Sequence, residues 1–370
     1  MKQVRDEVTG GTRDRSIRFG VLRSALLVGM LAAATAGLHG QEVPAAAPAV
    51  AERPSTATSA AHPLLRSVTF IGASATGGFG VVLPDPDKKE RAVTLPLAAS
   101  FAGAITEIAT DAGPEVVASA EAAGGGLRNF GSGLFFLSPV VTGSAQVDRA
   151  LERKPTLVVA VDFLFWYGYG SDNGKGGRVE SEADRLAKLE LGFRQLERFG
   201  PDVPIVVGDF PNMERAVGKM ISRDQMPAQE TLTRLNERFH AWAKERANVI
   251  VFPLASLVES LKGDQPVEIA GLRFDKTQGR LIQSDDLHPT ARGSIALGFR
   301  IGEAINAWMQ STPAEEKPFT LAADELSATR RAHAAAQMLL ARRAGTLPSG
   351  PRETPATRAP EGSGTTPGSR

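Results

Sequence analysis

The chain has 370 residues, 42% of them apolar, and a formal net charge of +1. That is material for one large folded domain plus appendages, and the balanced charge argues against a nucleic-acid partner, which favours a basic face. There is no cysteine, which excludes disulfides, thiol nucleophiles and cysteine-built zinc sites and leaves the redox compartment undecided.

Near the N-terminus, Arg13, Arg15, Arg18 and Arg23 lead into an apolar, Leu/Ala-rich run over residues 25–36, and Ala34-Thr35-Ala36 places small residues at the spacing a signal peptidase reads. The run is shorter than the ~20 apolar residues a bilayer span requires. Residues 1–40 are therefore expected to be an export signal, cleaved near Ala36 or Gly40, which sends the chain to the periplasm or outside the cell with no stable membrane span. An uncleaved N-terminal anchor is the alternative. A lipoprotein anchor is excluded, because no cysteine follows the run.

Residues 41–63 are rich in Ala, Pro, Thr and Ser without periodicity and read as a linker. The folded domain is expected over residues 64–310. It opens with the apolar run Val68-Thr69-Phe70-Ile71, of the kind found in a parallel sheet covered on both faces. Then comes Gly72-Ala73-Ser74-Ala75-Thr76-Gly77-Gly78. A serine just past a buried strand, among residues too small to cover it, is where an exposed Oγ is expected.

Residues 81–91 read as a polar loop, 97–110 as a helix, 114–120 as a short strand, and 124–133 as a glycine-dense loop whose N–H groups can face a ligand. A helix over 144–153 leads to the clearest buried strand, residues 155–162, which ends on Asp162. Phe163, Phe165, Trp166, Tyr167 and Tyr169 crowd the following stretch, as lining of an apolar pocket or as ordinary core. A helix over 180–199, a strand over 204–209, a helix over 231–248, a strand over 249–252 and a short helix over 254–261 complete an alternation that indicates a parallel sheet with helices on both faces. In such sheets the site lies outside the carboxyl ends of the strands. A helical appendage is expected over 311–345, and a disordered Pro/Gly/Ser/Thr/Arg tail over 346–370.

Ser284-Asp285-Asp286-Leu287-His288-Pro289-Thr290 puts a carboxylate three residues before a histidine, ahead of a long apolar-periodic helix over 291–309. Such a carboxylate can orient the imidazole, select its tautomer and stabilise the imidazolium. The other histidines have weaker claims: His39 sits by the signal, His62 in the linker, His333 in the appendage, and His240 on a helix beside Phe239 and Trp242. No pair of histidines stands at metal-ligand spacing, and no Gly-Lys-Ser/Thr follows the glycines of residues 72–80. No metal and no cofactor are expected.

These residues resemble the SGNH/GDSL hydrolases, an esterase and lipase superfamily, over residues 67–308. The first block of that family appears as Ile71-Gly72-Ala73-Ser74, its last as Asp285 to Pro289 with Gly293 behind, and its glycine block as Asn129-Phe130-Gly131-Ser132-Gly133. The resemblance implies a three-layer α/β/α, flavodoxin-like parallel sheet. It also implies a Ser74–His288–Asp285 triad, with an oxyanion hole from the N–H groups of Ser74 and Gly133, and Gly131 second. Two departures stand out. Ala73 replaces the usual aspartate, and the Gly-x-Asn-Asp block is replaced by Asp162-Phe163-Leu164-Phe165-Trp166, without the asparagine donor. Asp162, Trp166 or Asn173 are the candidates to replace it, Asp162 as a protonated donor or by positioning a substrate hydroxyl. The function implied is an exported ester hydrolase acting on a small-molecule, lipid or glycan ester. An acyltransferase acting on a glycan and a non-catalytic envelope or binding protein are the alternatives.

Overall fold

The computed structural model describes residues 62–85, 92–108, 126–170, 180–312 and 317–343. The expected export signal, most of the linker, the strand at 114–120, Asn173 and the C-terminal tail lie outside them.

Five short strands build the central sheet: β1 (Ser67–Phe70), β4 (Gly126–Asn129), β5 (Leu157–Ala160), β6 (Ile205–Gly208) and β7 (Val249–Phe252). All pair in parallel, in the spatial order β4-β1-β5-β6-β7. Numbered as the chain meets them, these strands run 2-1-3-4-5, the flavodoxin-like order, with its switch point between β1 and β5. Every residue of β1, β5 and β6 is buried, as continuous apolar runs require when both faces are covered.

The period of two along each strand divides the core. Val68 and Phe70 of β1 join Leu157, Val159, Val206 and Ile250 under the helices α2 (Leu97–Ala104), α8 (Ala291–Ser311) and α9 (Glu325–Arg343). Val158, Ala160, Ile205 and Val207 face the other layer, made by α3 (Pro139–Leu151), α5 (Glu182–Glu197) and α6 (Gln229–Lys244). The result is the expected three-layer α/β/α arrangement. Phe70 is fully buried, and truncating such a ring to alanine costs about 3–5 kcal/mol.

Several elements differ from expectation for identifiable reasons. Residues 126–129 of the glycine-dense stretch form β4, because β1 supplies a complete parallel partner along them. The polar stretch after Val81 contains β2 (Val82–Pro84), paired antiparallel with β3 (Ala92–Thr94). The helix expected to reach residue 110 stops at Ala104, where Ile105 turns extended and bridges Leu321. Helix α3 starts earlier than expected, at Pro139, whose ring suits a first helical turn. A second hairpin, β8 (Val267–Ile269) with β9 (Leu272–Phe274), carries no periodicity long enough to be seen in the sequence. The helix of the C-terminal appendage is α9, and its Ala328, Ala332, Ala335 and Ala336 are fully buried in the same core as Ala98 and Phe101 of α2. Among the described residues no helix is long and apolar enough to cross a membrane.

Candidate active site

The chain leaves β1 through Gly72 and Ala73 and turns at once into a one-turn helix, α1 (Ser74–Gly77). Ser74 is its first residue. Gly72 has φ +151°, and a Cβ there would stand 2.0 Å from Asp162 Oδ1, so both the conformation and the space demand glycine. Gly72 is further held by Gln146 of α3, whose Oε1 accepts from Gly72 N at 2.8 Å while its Nε2 donates to Gly72 O at 2.9 Å. Both groups are buried, so the amide satisfies a Gly72 N–H that would otherwise be orphaned.

Asp162, two residues beyond the end of β5, lies under this turn. Oδ1 accepts from Ala73 N (2.9 Å) and Thr76 Oγ1 (2.5 Å), and Oδ2 accepts from Ala75 N (3.0 Å) and Thr76 N (3.1 Å). Burial pushes its pKa up, against those hydrogen bonds, which favour the ionised form. This corrects the sequence expectation for Asp162. Both oxygens are occupied as acceptors beneath the serine turn, so the group is no oxyanion donor and does not face a substrate hydroxyl.

The imidazole facing Ser74 comes from the turn between Ile282 and Pro289, which bridge each other. His288 is buried, with Nε2 2.8 Å from Ser74 Oγ and Nδ1 2.7 Å from Asp285 Oδ2. Asp285 Oδ1 accepts from the N–H groups of Leu287 and His288 at 2.9 and 3.0 Å. Partial burial raises the Asp285 pKa, but hydrogen bonds from the His288 backbone and ring and from Leu287, with the charge of His288, outweigh it and leave the carboxyl below its ordinary value. Gln283 ties the turn in place, its Nε2 donating to Phe79 O and Pro289 O. Directly after the turn, Thr290 caps α8 by accepting from Gly293 N.

The glycine loop closes the other side. Asn129, the last residue of β4, donates to Thr76 O (2.8 Å) and accepts from Gly131 N (2.7 Å). Ser132 N donates to Gly72 O. Gly131 packs so closely that a Cβ would meet Gly77 N at 2.6 Å and Thr76 Cγ2 at 2.7 Å. Its N–H is committed to Asn129, so its part is close approach and not donation to a ligand, a second correction. Among the described residues, the N–H groups of Ser74 and Gly133 have no acceptor. Phe79 is half-exposed with its ring 4.9 Å from the His288 ring, and it also stands against Gly133.

The aromatic cluster after β5 is core. Phe165 and Tyr169 stack at 4.1 Å within the short helix α4 (Phe165–Tyr169), and Trp166 is buried against Phe165 and Phe136. Trp166 is therefore packed as part of the second core layer. A cavity of about 750 Å³ lies elsewhere, between β7 and α8, lined by Ile250, Arg300, Glu303 and Trp308, and it includes no residue of the Ser74–His288–Asp285 cluster.

The sequence contains local signals for Ser74, Asp285 and His288. Gln146 and the supporting role of Asp162 were missed. The only hint for Gln146 was a polar residue on the same helical face as Val147 and Ala150.

No family model matches the chain, and no curated protein sequence does. Among the solved structures similar at low level are two. One is a protein from Parabacteroides merdae ATCC 43184 described as a GDSL-like lipase, 14% identical, with a TM-score of 0.36, covering 66% of this chain and 94% of that one. The other is a gut microbial diltiazem-metabolizing enzyme, 15% identical, with a TM-score of 0.36, covering 64% of this chain and 46% of that one.

Proposed function

We propose that the protein is a serine ester hydrolase of the SGNH type, exported by its N-terminal segment. The observation that carries this is the continuous chain of hydrogen bonds from Ser74 Oγ through the His288 ring to the Asp285 carboxylate, at 2.8 and 2.7 Å. A serine 2.8 Å from a buried, carboxylate-oriented imidazole is a nucleophile already joined to its base. The same distance counts against a non-catalytic binding protein, in which nothing maintains that contact.

In the first half-reaction the Ser74 Oγ–carbonyl bond forms as His288 Nε2 takes the serine proton. The negative oxygen of the tetrahedral species meets the uncommitted N–H groups of Ser74 and Gly133. The ester C–O bond then breaks, and the imidazolium returns the proton to the leaving alkoxide. Water repeats the sequence on the acyl-serine, releasing the acid and restoring Ser74. Asp285 stabilises the imidazolium and fixes its tautomer without being protonated itself. Asp162 and Gln146 hold the turn, so its geometry is set before substrate arrives.

The support for export is the arginine-rich, then apolar, N-terminal sequence. The catalytic reading is tested by hydrolysis of p-nitrophenyl acetate and butyrate by the protein and its Ser74→Ala and His288→Ala variants. Turnover abolished in both variants supports it. A folded wild-type protein inactive on a panel of acyl and acetyl esters would overturn it.

A further inference from the structure

Asp286, beside Asp285, carries more positive charge than it can neutralise. It is nearly buried, with φ +58°, and Lys219 Nζ pairs with it while also donating to Ser284 O at 3.2 Å. Arg215 Nη2 lies 4.0 Å from Asp286 Oδ1, and Arg280 Nη2 lies 3.9 Å from the same oxygen. Both separations are too long for a hydrogen bond. The two guanidinium groups thus converge on a carboxylate already taken by an ammonium, and their side chains stay 63% and 66% exposed. Among the described residues Asp286 is the one carboxylate within ion-pair distance of Arg215, Lys219 or Arg280. Three cations against one anion is a local surplus in a chain whose total charge is +1.

The placement gives the surplus a use. Arg215 and Lys219 stand on the segment following β6, and Arg280 and Asp286 on the approach to His288, so all four sit where a parallel sheet builds its site. The backbone supports the cluster: Gly218 N donates to Ile221 O, closing the turn that presents Lys219, and Asp286 N donates to Gln283 O. A guanidinium fork with unused donors suits the flat, two-oxygen face of a carboxylate or phosphate.

We propose that Arg215 and Arg280, with Lys219, form an anion-binding subsite that holds a carboxylate or phosphate on the alcohol half of the substrate. The choice of half rests on the ester-hydrolase reading: His288 must reach the leaving oxygen to return its proton, and the cations converge on Asp286, which is on the turn that carries His288. The substrate class is then an acyl ester of an acidic alcohol, such as an acidic sugar or a phosphorylated alcohol.

The test compares 4-acetoxybenzoate with its neutral methyl ester, adds 4-acetoxyphenyl phosphate as the phosphate arm, and includes mono-p-nitrophenyl succinate, whose charge is on the acyl half. The full chain, the Arg215→Gln/Arg280→Gln double variant and a charge-matched Arg149→Gln/Arg194→Gln control are each assayed. The expected result is about a 10- to 100-fold higher kcat/KM for an ester whose alcohol is charged, expressed mainly in KM, as loss of two charge-assisted contacts predicts. That preference fades with added salt, is absent for the succinate, is lost in the Arg215/Arg280 variant and is retained in the control. No preference in the wild type, or a preference unchanged in the Arg215/Arg280 variant, overturns the subsite. Calorimetry with 4-hydroxybenzoate, 4-hydroxyphenyl phosphate and methyl 4-hydroxybenzoate tests it without hydrolysis. Binding of a charged alcohol that needs Arg215 and Arg280, in a protein inactive on every ester, would uphold the subsite and reject the hydrolase reading. Equal binding of the neutral and charged alcohols would reject the subsite.

Discussion

The carboxylate of Asp162 holds Thr76 twice, at its N–H (3.1 Å) and at its hydroxyl (2.5 Å), and takes the N–H groups on either side of Ser74 as well. The serine therefore stands on a turn gripped from behind by one buried anion. Asp162→Asn replaces an acceptor oxygen with an NH₂ group that must face backbone donors. The expected outcome is a loss of about 1–3 kcal/mol in urea unfolding and a fall in kcat of about 10²-fold from misplacement of Ser74, with KM little changed.

Gly72 is the tightest point of the same assembly. Any side chain there meets Asp162 Oδ1, and φ +151° is strained for every L-residue. Gly72→Ala is expected to destabilise by more than ~3 kcal/mol and to abolish activity. Gln146→Leu, which leaves the buried Gly72 N–H without a partner and Gly72 O with Ser132 N alone, is expected to cost about 1–3 kcal/mol. Thermal and urea melts of the two variants check both.

Asp285 makes a pH prediction with a definite sign. Its folded pKa lies below the ordinary value, so the folded state binds fewer protons than the unfolded chain as pH falls past about 4. The stability it contributes is fully present above that range and is lost on acidification through the folded pKa. Asp162 has the opposite sign, since burial raises its pKa, and its contribution is present in acid and lost as pH rises. Asp285→Asn is expected to flatten the fall of Tm between about pH 5 and pH 2.5 and to lower kcat by roughly 10³–10⁴-fold. A melt series across that range, with kinetics at neutral pH, measures both effects.

Phe79 covers one side of the His288 ring and stands against Gly133. Its half-exposed ring offers apolar surface next to Gly133. Phe79→Ala is expected to raise KM for p-nitrophenyl butyrate more than for the acetate, by about fourfold per lost methylene contact at ~0.8 kcal/mol. Steady-state kinetics on the two esters measure it.

What the sequence revealed was what local spacing encodes. Asp285 and His288 are three residues apart, and their side chains meet because one turn suffices. The runs at β5 and β6 carry no polar side chain, and β1 is buried throughout, because both faces of the sheet are covered. What stayed hidden depends on partners far along the chain. β4 reads Gly-Leu-Arg-Asn, poor strand material, and is a strand because β1 pairs with it. Gln146 reaches back 74 residues to Gly72, and Asp162 reaches back 86 residues to Thr76. No periodicity records such contacts. The aromatics after Asp162 were ambiguous, because apolar composition alone does not separate a pocket wall from a packed core.

The central claim is that Ser74 is a nucleophile activated by His288. Intact-mass spectrometry after exposure to a fluorophosphonate measures this directly, without knowledge of the natural ester. One covalent adduct per wild-type chain, mapped to Ser74, absent in Ser74→Ala and strongly slowed in His288→Ala, is the predicted result. A folded wild-type protein that stays unmodified, or an adduct that persists in Ser74→Ala, would contradict the account.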